Sequence, residues 1–116
     1  MPKVERRRHP RVHTDLPLQL TFKDTMVETR IRDLSSSGIR FRAPAALPLL
    51  SRVQIALELP DAEGGTSSIT IAISGVVVRC AETEAGDSPP YDTAIYFEDL
   101  SEPAKRQISR FVKTRL

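Results

Sequence analysis

With 116 residues, 40% of them hydrophobic, the chain is expected to be one globular domain with a single core, not a disordered segment. One cysteine, Cys80, excludes an internal disulfide; no secretory leader or membrane-length apolar run is visible, so a cytoplasmic protein is expected. The net charge of +2 is too mild to imply nucleic acid, but Lys3, Arg6, Arg7, Arg8 and Arg11 crowd one end and Lys105, Arg106, Arg110, Lys113 and Arg115 the other, which predicts local anion sites.

Residues 1–15 are polar and carry no strand or helix period, and Pro2 and Pro10 oppose a continuous helix. They read as an arm that is mobile when nothing is bound. A solvated basic tail is the plain alternative for its arginines.

Leu16, Leu18, Leu20 and Phe22 alternate with polar residues and predict a half-buried strand, with Pro17 pointing to an edge. Lys23 to Thr25 is a turn. Val27 to Leu34 is the second strand, with Glu28, Arg30 and Arg32 facing water. Gly38 to Arg42 is the third, with Arg40 and Arg42 outward. Between these two lies Asp33-Leu34-Ser35-Ser36-Ser37-Gly38. Short hydroxyls bond their own backbone in turns, and glycine reaches positive φ at little cost, so this is a tight connection at the rim of a sheet.

Ala43 to Leu50 contains Pro44 and Pro48 and reads as a crossing loop whose leucines plug one end of the core. Val53, Ile55, Leu57 and Leu59 alternate as a fourth strand, and residues 60–65 form a hairpin loop. Ile69, Ile71 and Ile73 begin a fifth strand. Its parity slips near Ser74-Gly75, where a bulge or sharp bend is expected. Ala81 to Pro90 is loop-like, and Tyr91, Thr93, Ile95 and Phe97 alternate as the last strand. Ser101 suits a helix N-cap before Glu102 and Pro103, and Ala104, Ile108, Phe111 and Val112 recur at helical spacing. The whole reads as a small antiparallel β-barrel with a terminal helix.

Enzyme chemistry finds no support. His9 and His13 lie in the arm, so no cluster has metal-ligand spacing. No nucleophile elbow is present, and the Gly64-Gly65 pair lacks the lysine and helix of a phosphate loop. Glu98-Asp99 and the Glu82/Glu84 pair read as solvated loop charges. What remains is arginine plus Asp33 and Ser35. A guanidinium fork matches a phosphate and the O6/N7 edge of guanine, and a carboxylate accepts from the guanine edge that carries N–H groups. The set suits a guanine nucleotide with phosphates.

Arg7-Arg8-His9-Pro10-Arg11 has the form RxxxR, and Asp33-Leu34-Ser35-Ser36-Ser37-Gly38 the form (D/N)xSxxG. Together, on a barrel ending in a helix, they resemble the PilZ domain, over essentially the whole chain. Residues 74–79 and 94–101 resemble it too, with Ala94 where the family often has glycine. The resemblance implies a six-stranded antiparallel β-barrel over 16–100, a ligand-binding arm over 1–15 and a C-terminal α-helix over 101–116. It implies a non-enzymatic receptor for cyclic di-GMP, with no cofactor, that acts in trans on an unidentified effector protein, in motility, polysaccharide export or virulence control. Arg7 and Arg11 would grip guanine and phosphate, Asp33 and Ser35 would touch the ligand from the barrel, and Gly38 would allow the tight turn. Arg6 before the motif implies a self-stacked ligand pair, and Arg8 is a further candidate contact. The rivals are a PilZ-like barrel that binds only proteins and a single-stranded nucleic-acid binder; scarce outward aromatics, Tyr91 and Tyr96, weigh against the second.

Overall fold

The structure is a computed structural model that describes residues 10–60, 67–84 and 89–116. Among the described residues seven strands precede one helix: β1 (Val12–His13), β2 (Pro17–Phe22), β3 (Thr25–Leu34), β4 (Gly38–Ala43), β5 (Arg52–Pro60), β6 (Ser68–Glu82), β7 (Tyr91–Glu98) and α1 (Glu102–Arg115). Six of them pair antiparallel in the order β3-β2-β5-β6-β7-β4, and the β3–β4 pairing closes the ring. This is the six-stranded barrel with a C-terminal helix that the sequence predicts. The two-residue β1 pairs with β3 in line with β2, so the chain from Val12 to Phe22 follows β3 as one interrupted strand.

The alternating apolar residues meet inside. Leu18, Leu20, Ile31, Phe41, Val53, Ile55, Leu57, Leu59, Val77 and Ile95 form an aliphatic centre with one aromatic ring, and Ala104, Ile108, Phe111 and Val112 bring α1 onto it. The helix starts at Ser101, whose Oγ accepts the Ala104 N–H at 3.2 Å, with proline at the first turn. Each such large aliphatic side chain, removed from water, contributes about 1.5–3 kcal/mol.

Four local readings change. Within the segment read as an arm, Val12 is buried, Leu34 pairs with it, and Thr14 N–H donates to the Arg32 carbonyl at 2.9 Å. The bulge in β6 is not at Ser74-Gly75, which stay in register, but at Val78, between the Val77↔Ile95 and Arg79↔Ala94 pairs. Three successive valines hide the parity there. Gly75 is needed for space instead: a Cβ on it would strike Ile95 Cγ2. Of the loop leucines only Leu47 packs on the core; Leu49 and Leu50 are exposed, with Leu50 at φ 67°. Finally, Gly38 is not at positive φ; its Cβ would collide with the Ile95 carbonyl oxygen across the β4–β7 seam.

Candidate functional site

The geometry of the site begins with a second bulge. On β3, Ile31 pairs with Phe41, but Asp33 pairs with Arg40 and Leu34 with Ile39, so Arg32 is the extra residue. One inserted residue reverses strand parity. Ile31 and Leu34 both point into the core, and Asp33 turns to the outer face beside Arg40. The sequence alone reads Asp33 at a rim; the bulge is what gives it a cationic neighbour.

Although it faces outward, Asp33 is only 4% exposed. Arg40 Nη1 donates to its Oδ2 at 3.0 Å, and His13 Nδ1 lies 2.5 Å from its Oδ1. Oδ1 accepts no hydrogen bond of regular geometry. Arg40 reaches on through Nε to Asp92 Oδ1 at 3.0 Å, and Arg79 Nε stands 3.5 Å from Asp92 Oδ2. Charges therefore alternate across β3, β4, β7 and β6, as Asp33, Arg40, Asp92 and Arg79, and the His13 ring of β1 stands at the Asp33 end. The Val78 bulge places Arg79 opposite Ala94, two residues along β7 from Asp92 and within reach of its carboxylate.

The serine turn is locked by Ser35. Its Oγ is the acceptor for the N–H groups of Ser37 and Gly38, both at 3.2 Å, and lies 3.1 Å from Ser37 Oγ. Ser35 N–H donates to the Gly38 carbonyl, and Phe97 N–H donates to the Ser37 carbonyl at 2.8 Å, tying the turn to β7. Ser35 is thus a buried turn cap before it is anything else. Gly38 lets β4 approach β7 at the same point.

Arg11 is exposed immediately before β1. It lines a cavity of about 90 Å³ together with Asp33, Ser35, Ser37, Gly38, Arg40, Val78 and Tyr96. Asp33 and Arg40 also belong to the wall of a neighbouring cleft of about 830 Å³, where Arg30, Arg32, Arg40 and Arg42 outnumber Asp15 and Asp33. The first space is smaller than ligand pockets of ~300–1,000 Å³, and the second lies within that range. The structure so brings together Arg11, Asp33, Ser35 and Gly38 of the predicted set. Arg6, Arg7 and Arg8 lie outside the described residues.

His13, Arg40, Arg79, Asp92 and Tyr96 join the site without having been singled out for it. Strand parity puts Arg40 outward, but its partner Asp92 is 52 residues away, a pairing that no local pattern encodes. Among the described residues no group of three or more His, Cys, Asp or Glu could hold a metal ion, and no helix is long and apolar enough to cross a membrane.

A family model described as PilZ domain matches residues 5–114. Solved structures share the fold. The Bacillus subtilis inhibitor of motility MotI/DgrA matches at a TM-score of 0.82 and 16% identity, covering 97% of this chain and 51% of that one. The PilZ domain of YcgR from Escherichia coli, solved with c-di-GMP, matches at a TM-score of 0.71 and 19% identity, over 96% of this chain and 92% of that one. The K. pneumonia MrkH–c-di-GMP complex matches at 0.67 and 23% identity, over 92% and 51%. The chain thus spans about half the length of two of these proteins. No curated protein matches it.

Proposed function

The chain belongs to the PilZ domain family, and on that premise we propose that it is a cyclic di-GMP receptor, not an enzyme, that signals to a partner protein in trans. One observation carries the reading: Arg11 of the RxxxR motif and the Asp33–Gly38 turn wall the same small cavity.

The chemistry divides among the residues. Arg11 and Arg7 offer forks to guanine O6/N7 or to phosphate oxygens. Asp33 accepts from the N–H edge of the base. Ser35 keeps the turn closed with its two accepted N–H groups, and its one hydroxyl proton, which the long 3.4 Å contact to the Gly38 carbonyl holds loosely, turns to the ligand. Gly38 keeps the turn against β7. The arginine-rich cleft alongside takes the phosphates, and Arg6 and Arg8 are further candidate contacts by their place beside the RxxxR motif. Arg6 favours a self-stacked pair of ligand molecules. Each charge-assisted bond contributes about 1.5–3 kcal/mol, against an ordering cost of ~1–2 kcal/mol per residue fixed. A few such bonds therefore order a short segment and change the surface that a cytoplasmic partner reads.

Isothermal calorimetry with cyclic di-GMP tests the reading. Saturable heat is expected, at two ligands per chain if the pair forms. No heat, and no rise in melting temperature at high micromolar ligand, would overturn it in favour of a protein-only module.

A further inference from the structure

The core uses almost every aromatic ring the chain has. Phe41, Phe97 and Phe111 are buried, and Phe22 and Tyr91 are half-buried and packed against the core; Tyr96 is 56% exposed. It lies on the outer face of β7, paired with Val76 on one side and Gly38 on the other. Val76 gives the ring an apolar neighbour. Gly38 has no side chain, so the flank toward the serine turn is open. Tyr96 and the exposed bulge residue Val78 contribute apolar surface to the cavity that Arg11, Asp33 and Arg40 line with polar groups.

We propose that Tyr96 is the stacking platform for a guanine base in this cavity, with Val78 extending the platform, and that it works with Asp33 to set base specificity. The inference rests on the receptor reading above and adds a contact to it. A π-face accepts any base, so stacking supplies affinity and the edges supply selection. Arg40 already occupies Asp33 Oδ2, while the buried Oδ1 lacks a regular hydrogen bond, and the polar group that stands against it is the His13 ring. Once that exposed ring withdraws, Oδ1 is the acceptor for guanine N1–H or N2–H. In the same pose adenine presents an unprotonated N1 and a C2–H to the carboxylate, while its N6 donor stands where guanine has O6, so Oδ1 is left without a donor. A planar wall, a fork and a buried acceptor at one small cavity fit a purine with donors on its Watson–Crick edge.

The test compares the wild-type protein, Tyr96→Phe and Tyr96→Ala by calorimetry with cyclic di-GMP at fixed salt, and follows the tyrosine ring resonances of the wild type by NMR. Tyr96→Phe should bind within about twofold of wild type, and Tyr96→Ala about tenfold more weakly, with unchanged melting temperatures. The Tyr96 ring protons should shift upfield as ligand is added, while those of Tyr91 hold still. If Tyr96→Ala binds as well as wild type, or if the Tyr96 ring is unmoved at saturation, the platform is overturned and the receptor reading survives. If the wild type itself does not bind, both fall. Should Tyr96→Ala fail to fold, the ring shifts of the wild type decide alone.

Discussion

Replacing Arg40 by methionine keeps the aliphatic stem and removes every donor. Two contacts go: the 3.0 Å bond from Nη1 to Asp33 Oδ2 and the 3.0 Å bond from Nε to Asp92 Oδ1. The Asp33 side chain is 5% exposed and that of Arg40 37%. Breaking a fully buried pair costs ~3–5 kcal/mol, whereas a fully exposed pair contributes ~0–1 kcal/mol. Asp33 lies at the buried limit, and solvent screens Arg40, so a destabilisation of about 2 kcal/mol is expected. For a domain of this size that is a fall in melting temperature of roughly 8 °C. Urea unfolding followed by circular dichroism reads it directly, as a lower midpoint at unchanged slope. The Asp33→Asn/Arg40→Met double variant should recover about 1 kcal/mol of the summed losses, because it leaves no buried charge alone. A loss below about 0.5 kcal/mol for Arg40→Met, or strict additivity in the double variant, would refute this account of the cross-strand pair.

Three further outcomes follow from the same geometry. Arg11→Ala should weaken cyclic di-GMP binding at least about tenfold by calorimetry and leave thermal stability unchanged, since Arg11 is exposed. Ser35→Ala removes the acceptor for two N–H groups in a buried turn; it should cost about 1–2 kcal/mol in denaturant unfolding and lower ligand affinity as well. Gly38→Ala sets a methyl against the Ile95 carbonyl, an atom that cannot step aside, so a loss of about 2–3 kcal/mol is expected by the same measurement. An alanine variant at that position as stable as wild type would mean that the β4–β7 seam yields.

Strand alternation in the sequence is enough to place most of the barrel. Leu18, Leu20, Val53, Ile55, Leu57 and Ile95 point inward as their spacing predicts, and Ser101 caps the helix as its chemistry predicts. Periodicity fails where one extra residue shifts it. Val77 and Val78 look alike to any hydrophobic count, yet one is fully buried and the other half exposed. The bulge at Arg32 has a sequence trace only in hindsight: Ile31 and Leu34, three apart on a strand, cannot both face the core without it. The Asp33–Gly38 turn is legible because its residue types have local reasons to be there. The partners of Arg40 are not, since they depend on which strands close the ring. The serine that reads as a ligand contact also turns out to have a structural task, and the glycine is required by a neighbouring backbone and not by its own dihedral.

The two-residue strand at Val12–His13 carries a consequence for affinity. Val12 is anchored in the core, so the guanidinium of Arg11 is tethered one residue from a fixed point at the cavity mouth. Such a short leash gives the cation a high effective concentration there before any ligand arrives. On the proposed receptor reading, the final arginine of the motif is a preorganised donor that ligand binding need not first recruit. Loosening that anchor, with the arginine itself intact, should slow capture and weaken it.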